Sequence, residues 1–224
     1  MSESFEVVRH PTARRIRLSL DPASGVARLV VPKRAALKPA LAWAQGKADW
    51  IAAQRARLPQ PRPYAPGTML TVADAPLTIV WEAGSRRRVE VVGDSLSLSG
   101  PIETLPRRVE TWLKRQALDL LAAETAEYAA RAGVTVSKVA IGDARGRWGS
   151  CAHDGTIRYS WRLILAPGHV RRATVAHEVA HRVHMNHGSA FHALVERLYG
   201  CDPSPARAWL RAHGAGLHWI GRSS

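Results

Sequence analysis

The run His177-Glu178-Val179-Ala180-His181 constrains this 224-residue chain more than any other segment. Two histidines four apart lie one turn apart on the same helical face. Val175, Ala176, Val179 and Val183 fall on the opposite side, so the segment reads as a helix with a buried back and a polar front. Pro167 stands where a first helical turn tolerates proline, and the pattern predicts a helix over 167–185. From that helix His177 and His181 can both reach one metal ion, at the ~2.0–2.1 Å usual for zinc–nitrogen bonds. Glu178 projects about 100° around the axis from His177, the helical step per residue. That direction sets its carboxylate beside such an ion, where it can act as general base toward water.

A third ligand must come from outside the helix. His184 points close to the His177 direction but lies about 10 Å further along the axis, at 1.5 Å per residue. Asn186 tolerates the left-handed conformation that ends many helices, and beyond that turn His187 can swing back. His187 is therefore the favoured third ligand. His184 is read as a group supporting the ligands, His192 as structural and Glu196 as the weaker competing ligand. Gly188-Ser189 then opens a helix over 190–199 with Ser189 as its cap, stopping at Gly200.

These segments resemble a known group. HEVAH followed by NHGSAF, and preceded by RGRWGSC and TIRYSWRLILAP, is similar to the YgjP-like metallopeptidases, relatives of the SprT-like proteases. Asn186, His187, Gly188 and Phe191 occupy the family's N-H-[SG]-x-x-F positions, which implies ligation by His187. Gly188 matches the SprT-like form rather than the serine common among YgjP-like chains. The stretch ARRIRLSLDPASGVARLVVPKRAALKPALAWAQGKADWI extends the similarity over most of the chain. The resemblance implies a zincin-like domain and hydrolysis of peptide bonds. It also admits nucleotide pyrophosphatase activity, assigned to some members, and DNA-associated proteolysis of the SprT-like kind.

Composition narrows the setting. Cys151 and Cys201 are the only cysteines and share no CxxC spacing, which argues against a disulfide framework or a zinc knuckle. No signal sequence opens the chain and no run approaches 18 apolar residues, so the expectation is a cytoplasmic protein without a membrane span. The net charge of +14 is spread over both halves of the chain. Such a field suits nucleotides or nucleic acid, yet arginine used as the default surface residue explains it equally simply. Arg86-Arg87-Arg88, between TIVW and VEVV, reads as an exposed hairpin connection. The oligomeric state is not legible.

The expected fold class is α+β. Residues 1–103 form a β-rich N-terminal region with one helix, and residues 104–224 a zincin-like metallohydrolase domain. Residues 15–20 and 26–31 alternate about an Asp21–Gly25 turn, a hairpin. Residues 38–57 carry apolar side chains at helical spacing, with Trp43 and Trp50 seven apart and expected in the core. A proline-rich connector covers 58–66, and short strands follow near 69–73, 77–82, 88–92 and 95–99. The second region opens with a helix over 104–132 closed by Gly133. Strands 134–141 and 156–165 follow, then the histidine helix, and a final helix runs from Asp202-Pro203 to about Arg211.

Within that frame the connection Asp143–Cys151 forms a wall of the cleft. Arg145 or Arg147 presents a cation to substrate there, unless Trp148 simply plugs the core. Tyr159 and Tyr199 are candidate donors to a developing oxyanion. Cys151 is not read as a nucleophile, since a thiol needs an activating base and the metal centre accounts for the histidines. With three neutral histidines a zinc keeps one position for water, whose pKa falls to about 7. Glu178 takes the proton as water attacks and returns it to the leaving group. An exposed edge strand such as 156–165 would bind an extended peptide substrate by strand addition.

Overall fold

The computed structural model describes residues 5–84 and 88–223. The chain forms two compact units, Met1–Gln60 and Pro61–Ser224. The boundary expected at 103/104 lies inside the second unit, because the strands before it share a core with the long helix after it.

In the first unit β1 (Phe5–His10), β2 (Arg17–Leu20) and β3 (Ala27–Pro32) make a sheet of order β1-β3-β2. β2 and β3 form the expected hairpin, with Leu20 opposite Ala27. Its turn is tied by Asp21, whose carboxylate accepts from the Ala23 N–H and the Ser24 hydroxyl. β1 was not expected as a strand and runs parallel to β3. The single helix expected over 38–57 is two, α1 (Leu37–Gln45) and α2 (Ala48–Arg55), broken at Gly46-Lys47. The break resets the helical phase, so seven-residue spacing no longer aims Trp43 and Trp50 inward. They are 44% and 41% exposed, against the expectation of core, while Ala40, Ala44 and Ile51 are buried instead.

In the second unit β4 (Met69–Val72), β5 (Ala75–Glu82), β6 (Val89–Val92) and β7 (Ser95–Ser99) form a sheet of order β4-β5-β7-β6. β5 and β7 are parallel, so the strands flanking Arg86-Arg87-Arg88 are not hairpin partners. Arg86 and Arg87 themselves lie outside the described residues. The inward face of this sheet (Leu70, Ile79, Leu96, Leu98) packs with α3 (Leu105–Ala132). That helix buries Leu105, Val109, Leu113, Ala117 and Leu121 at strict four-residue spacing and ends at Gly133, left-handed as expected. Part of the proline-rich connector is not a free linker: the Arg62 N–H donates to Trp219 and its carbonyl accepts from Gly221.

A second sheet of order β8-β10-β9 follows, from β8 (Lys138–Gly142), β9 (Gly149–Cys151) and β10 (Thr156–Ser160). β10 is therefore central, parallel to β8 and antiparallel to β9. It has no open edge, which corrects the expectation that 156–165 could accept a peptide strand. The chain also leaves the sheet at Ser160, and Trp161–Leu165 is a buried 3₁₀ turn. The edge strands are β8 and β9, and β9 lies inside the segment expected to be only a connection.

Helices α4 (Gly168–Ala180), α5 (Ser189–Tyr199) and α6 (Ser204–Leu217) complete the unit. α4 stops five residues short of expectation. The N–H groups of Arg182 and Val183 bond back to Val179 and Ala180, three residues away, so the backbone tightens at His181. Val183, expected on the buried face, is consequently exposed. α6 runs past Arg211 through Gly214 and Gly216, and the missing side chain at Gly214 permits close packing against Trp148. The back of α4 is anchored to α3 by an ion pair: Arg171 Nε donates to Glu124 Oε1 and Oε2 at 3.0 and 3.2 Å. Both side chains are buried. No described helix is long and apolar enough to cross a membrane.

Candidate metal centre

His177 and Glu178 sit in the last turns of α4, and His181 is its C-terminal cap. The turn that follows returns His187 to the same place. The ring centroids of His177, His181 and His187 stand 4.7–5.2 Å apart. One ring nitrogen from each lies within 4.8 Å of the other two, and this is the only such group of three among the described residues.

Phe191, fully buried in the first turn of α5, explains how three imidazoles are held so close. Its ring centroid lies 4.9, 4.5 and 4.7 Å from those of His177, His181 and His187. The apolar ring packs against all three imidazoles at once. His187 and Phe191 are four residues apart, the spacing that would have signalled this packing. His184 contributes backbone rather than ring: its carbonyl lies 3.1 Å from His181 Nδ1, which donates to it as N–H. That bond leaves His181 Nε2 as the lone-pair donor. His192 stacks outside the cluster, 6.3 Å from His187, and Glu196 does not join it.

The electrostatics favour neutral rings. Burial, then the neighbouring His181 and His187, pull His177 down to about 4. Burial also lowers His181, although its bond to His184 opposes the shift. Nε2 of His177 and Nε2 of His187 approach to 3.3 Å. Two lone pairs at that separation repel unless a proton or a cation lies between them. Three converging ring nitrogens, one of whose imidazoles is hydrogen-bonded from behind, are a donor set that fits a borderline metal cation such as zinc.

Glu178 is 5% exposed, and burial pushes its carboxyl up to about 7 against the opposing charge of Arg147. It fits because β9 begins with a glycine: a Cβ on Gly149 would lie 2.6 Å from Glu178 Cγ. The two share a cleft of about 260 Å³ with Arg147, Trp148, Thr174 and His177. α6 closes the cleft from another side with Ala206, Arg207 and Leu210. Trp148 serves both readings made of it. It lines the cleft, and it also packs on His218 at 5.4 Å and against Gly214, where a Cβ would meet its ring at 2.7 Å.

The other expected site residues lie elsewhere. Arg145 is exposed and does not line the cleft. Tyr159 is a core residue, 1% exposed, with its hydroxyl 3.0 Å from Thr125 Oγ1. The Tyr199 hydroxyl donates to the His169 carbonyl, away from the cleft. Burial raises the Cys151 thiol, in keeping with an unreactive cysteine. Sequence reasoning missed Arg207 and Gly214 altogether, and it named Phe191 and the segment of Gly149 without their packing roles, since contact of Gly149 with Glu178 and of Gly214 with Trp148 joins elements distant in the chain.

The profile of the YgjP-like family, described as a metallopeptidase domain, matches residues 14–213. The chain belongs to the YgjP-like family. No curated protein and no solved structure matched it. Membership carries a metallopeptidase assignment in general terms, with peptides or proteins as the substrate class. The histidine cluster of this YgjP-like chain is where a metal ion would be held.

Proposed function

We propose that the chain is a zinc-dependent metallopeptidase in which His177, His181 and His187 hold the metal and Glu178 is the general base. The observation that carries this reading is the convergence of three ring nitrogens within 4.8 Å, one of them on His177, which shares a cleft with the buried carboxylate of Glu178. When bound, the ion supplies a Lewis acid that polarises a carbonyl and acidifies water. Glu178 removes a proton from the attacking water and delivers it to the departing amine, working from a pocket that excludes bulk solvent. Gly149 leaves room for that carboxylate, and the His181–His184 bond holds one imidazole in the ligating tautomer. Arg147, the cation nearest Glu178 by its electrostatic influence, orients the carboxylate or the substrate. The edge strand β9, bearing Gly149 on the cleft, is the element against which an extended peptide would lie.

The test is a parallel assay of the zinc-loaded chain on an unfolded protein and on nucleoside triphosphates, with Glu178→Gln as control. Removing a general base costs about 10²–10⁴-fold in rate. The expected result is proteolysis that falls by that factor while metal content is kept. Turnover of triphosphates alone, or near-normal proteolysis by Glu178→Gln at matched zinc, would overturn the proposal.

A further inference from the structure

The cleft carries more positive charge than catalysis requires. Arg147 enters from the connection before β9 and Arg207 from α6, and both line the same cavity as His177 and Glu178. Among the described residues neither guanidinium forms an ion pair. Arg207 donates to the Ser204 hydroxyl, at 2.9 Å, with Asp202 as a nearby acid outside the cavity lining, and Arg147 acts on Glu178. Glu178 is the only acid lining the cavity, so its lining carries two cations and one anion before any metal is added. Beside the arginines the wall is apolar, built by Ala173, Val195, Ala206 and Leu210. The cavity, about 260 Å³, is smaller than most ligand sites and holds one or two residues of a chain.

We propose that Arg147 and Arg207 form a carboxylate subsite that receives the C-terminal residue of a peptide substrate. A terminal residue is the peptide unit that matches this lining, because one α-carbon carries both an apolar side chain and a carboxylate. Guanidinium groups suit it, being planar, permanently charged and able to donate two parallel hydrogen bonds to a carboxylate. The apolar wall takes the side chain, and the small volume limits how much chain extends past the cleavage point. The chain would thus prefer substrates cut near a free C-terminus. This rests on the peptidase reading above and specifies its substrate.

The full-length, zinc-loaded protein bearing Glu178→Gln allows binding to be measured without turnover. The probes, in calorimetry, are a short N-acetylated peptide ending in leucine with a free carboxylate, its C-terminal amide, and inorganic diphosphate. The free acid should bind about tenfold or more tightly than the amide, as expected for a charge-assisted hydrogen bond in a cleft. Adding Arg207→Gln, or separately Arg147→Gln, should bring the acid-to-amide ratio near one. Arg207→Lys should restore part of it. Both arginines are exposed, so the variants should fold, and circular dichroism checks this. Equal binding of acid and amide, a ratio insensitive to both arginines, or diphosphate binding more tightly than the acid would each overturn the subsite. Wild-type assays keep the two proposals apart. Hydrolysis of neither peptide despite an intact binding preference sinks the peptidase reading alone. Equal hydrolysis of both, with equal binding, sinks the subsite alone.

Discussion

Helix α4 and the helix pair α1–α2 meet their surroundings in opposite ways. Nine of the thirteen residues of α4 are buried, including Arg171 and Glu178, and a polar strip with His177 faces the cleft. Of α1 and α2, only Ala40, Ala44 and Ile51 are buried, and the two largest side chains, Trp43 and Trp50, face solvent. The first unit accordingly has a core cluster of four buried residues, whereas that of the second unit runs from the β4–β7 sheet through α3 to α6. A helix enclosed on several sides holds functional groups to fractions of an ångström. A helix touching its sheet through alanines has no comparable constraint. Function therefore sits where enclosure is greatest, and the same substitution costs different amounts in the two regions.

The enclosure of α4 is most directly broken at the Arg171–Glu124 pair. Glu124→Ala removes the buried partner of Arg171, leaving it only the half-exposed Asp74 at 3.5 Å, and should destabilise the protein by about 3 kcal/mol. Chemical denaturation reads this. A loss below about 1 kcal/mol would mean that α4 does not depend on α3 as described.

A finer probe acts on the front of the same helix. Gly149→Ala places a methyl group against Glu178, and a displacement of this kind costs on the order of 10²-fold in turnover. Overpacking of this kind also costs about 1–3 kcal/mol of stability, so kcat is measured at matched zinc and well below the lowered melting temperature, which separates positioning from unfolding. Unchanged kcat would show that Glu178 tolerates displacement or is not the base.

Acid sensitivity tests the far side of the Trp148 wall. Burial tends to raise the Asp143 carboxyl, but the Arg162 guanidinium, bonded at 2.7 and 3.0 Å, holds it below the ordinary value of 3.8. A carboxyl lowered by folding stabilises the native state above its unfolded pKa. That contribution disappears as pH falls from about 4 through the folded value. Asp143 is 42% exposed on its side chain, so solvent keeps the effect modest. Asp143→Asn should flatten the acid limb of the stability profile, and an unchanged limb would refute the coupling.

The smallest effect is expected in the first unit. Trp43→Ser or Trp50→Ser should alter stability by no more than about 0.5 kcal/mol, as surface substitutions do. A loss of several kcal/mol at either position would show that α1 and α2 are more enclosed than they stand here.

Much of the site was legible because its chemistry is local. HEVAH places two histidines on one helical face and an acid beside it by spacing alone, whereas the turn that returns His187 begins at His181 and not at the left-handed Asn186 that was expected. The hairpin around Asp21, the four-residue ladder of α3 and the helix stops at Gly133 and Gly200 are legible for the same reason: each depends on neighbours in the chain. The break at Gly46-Lys47 was read through as continuous helix, since helical spacing on either side concealed a change of phase. Strand order was not legible, because β5 pairs with β7 across the intervening β6, a matter of hydrogen bonding between distant segments.

By itself, then, the sequence determined the α+β class, the family, and the three-histidine cluster with its adjacent carboxylate. Only tertiary structure decided that Tyr159 is core, that β10 is central with β9 at an edge, that Phe191 packs against all three imidazoles, and that Arg207 shares a cleft with His177 and Glu178. The physical reason is range. Helical spacing and turn chemistry act over a few residues and are written in consecutive letters. Burial and close approach depend on segments tens of residues apart, and they are settled only when the core assembles.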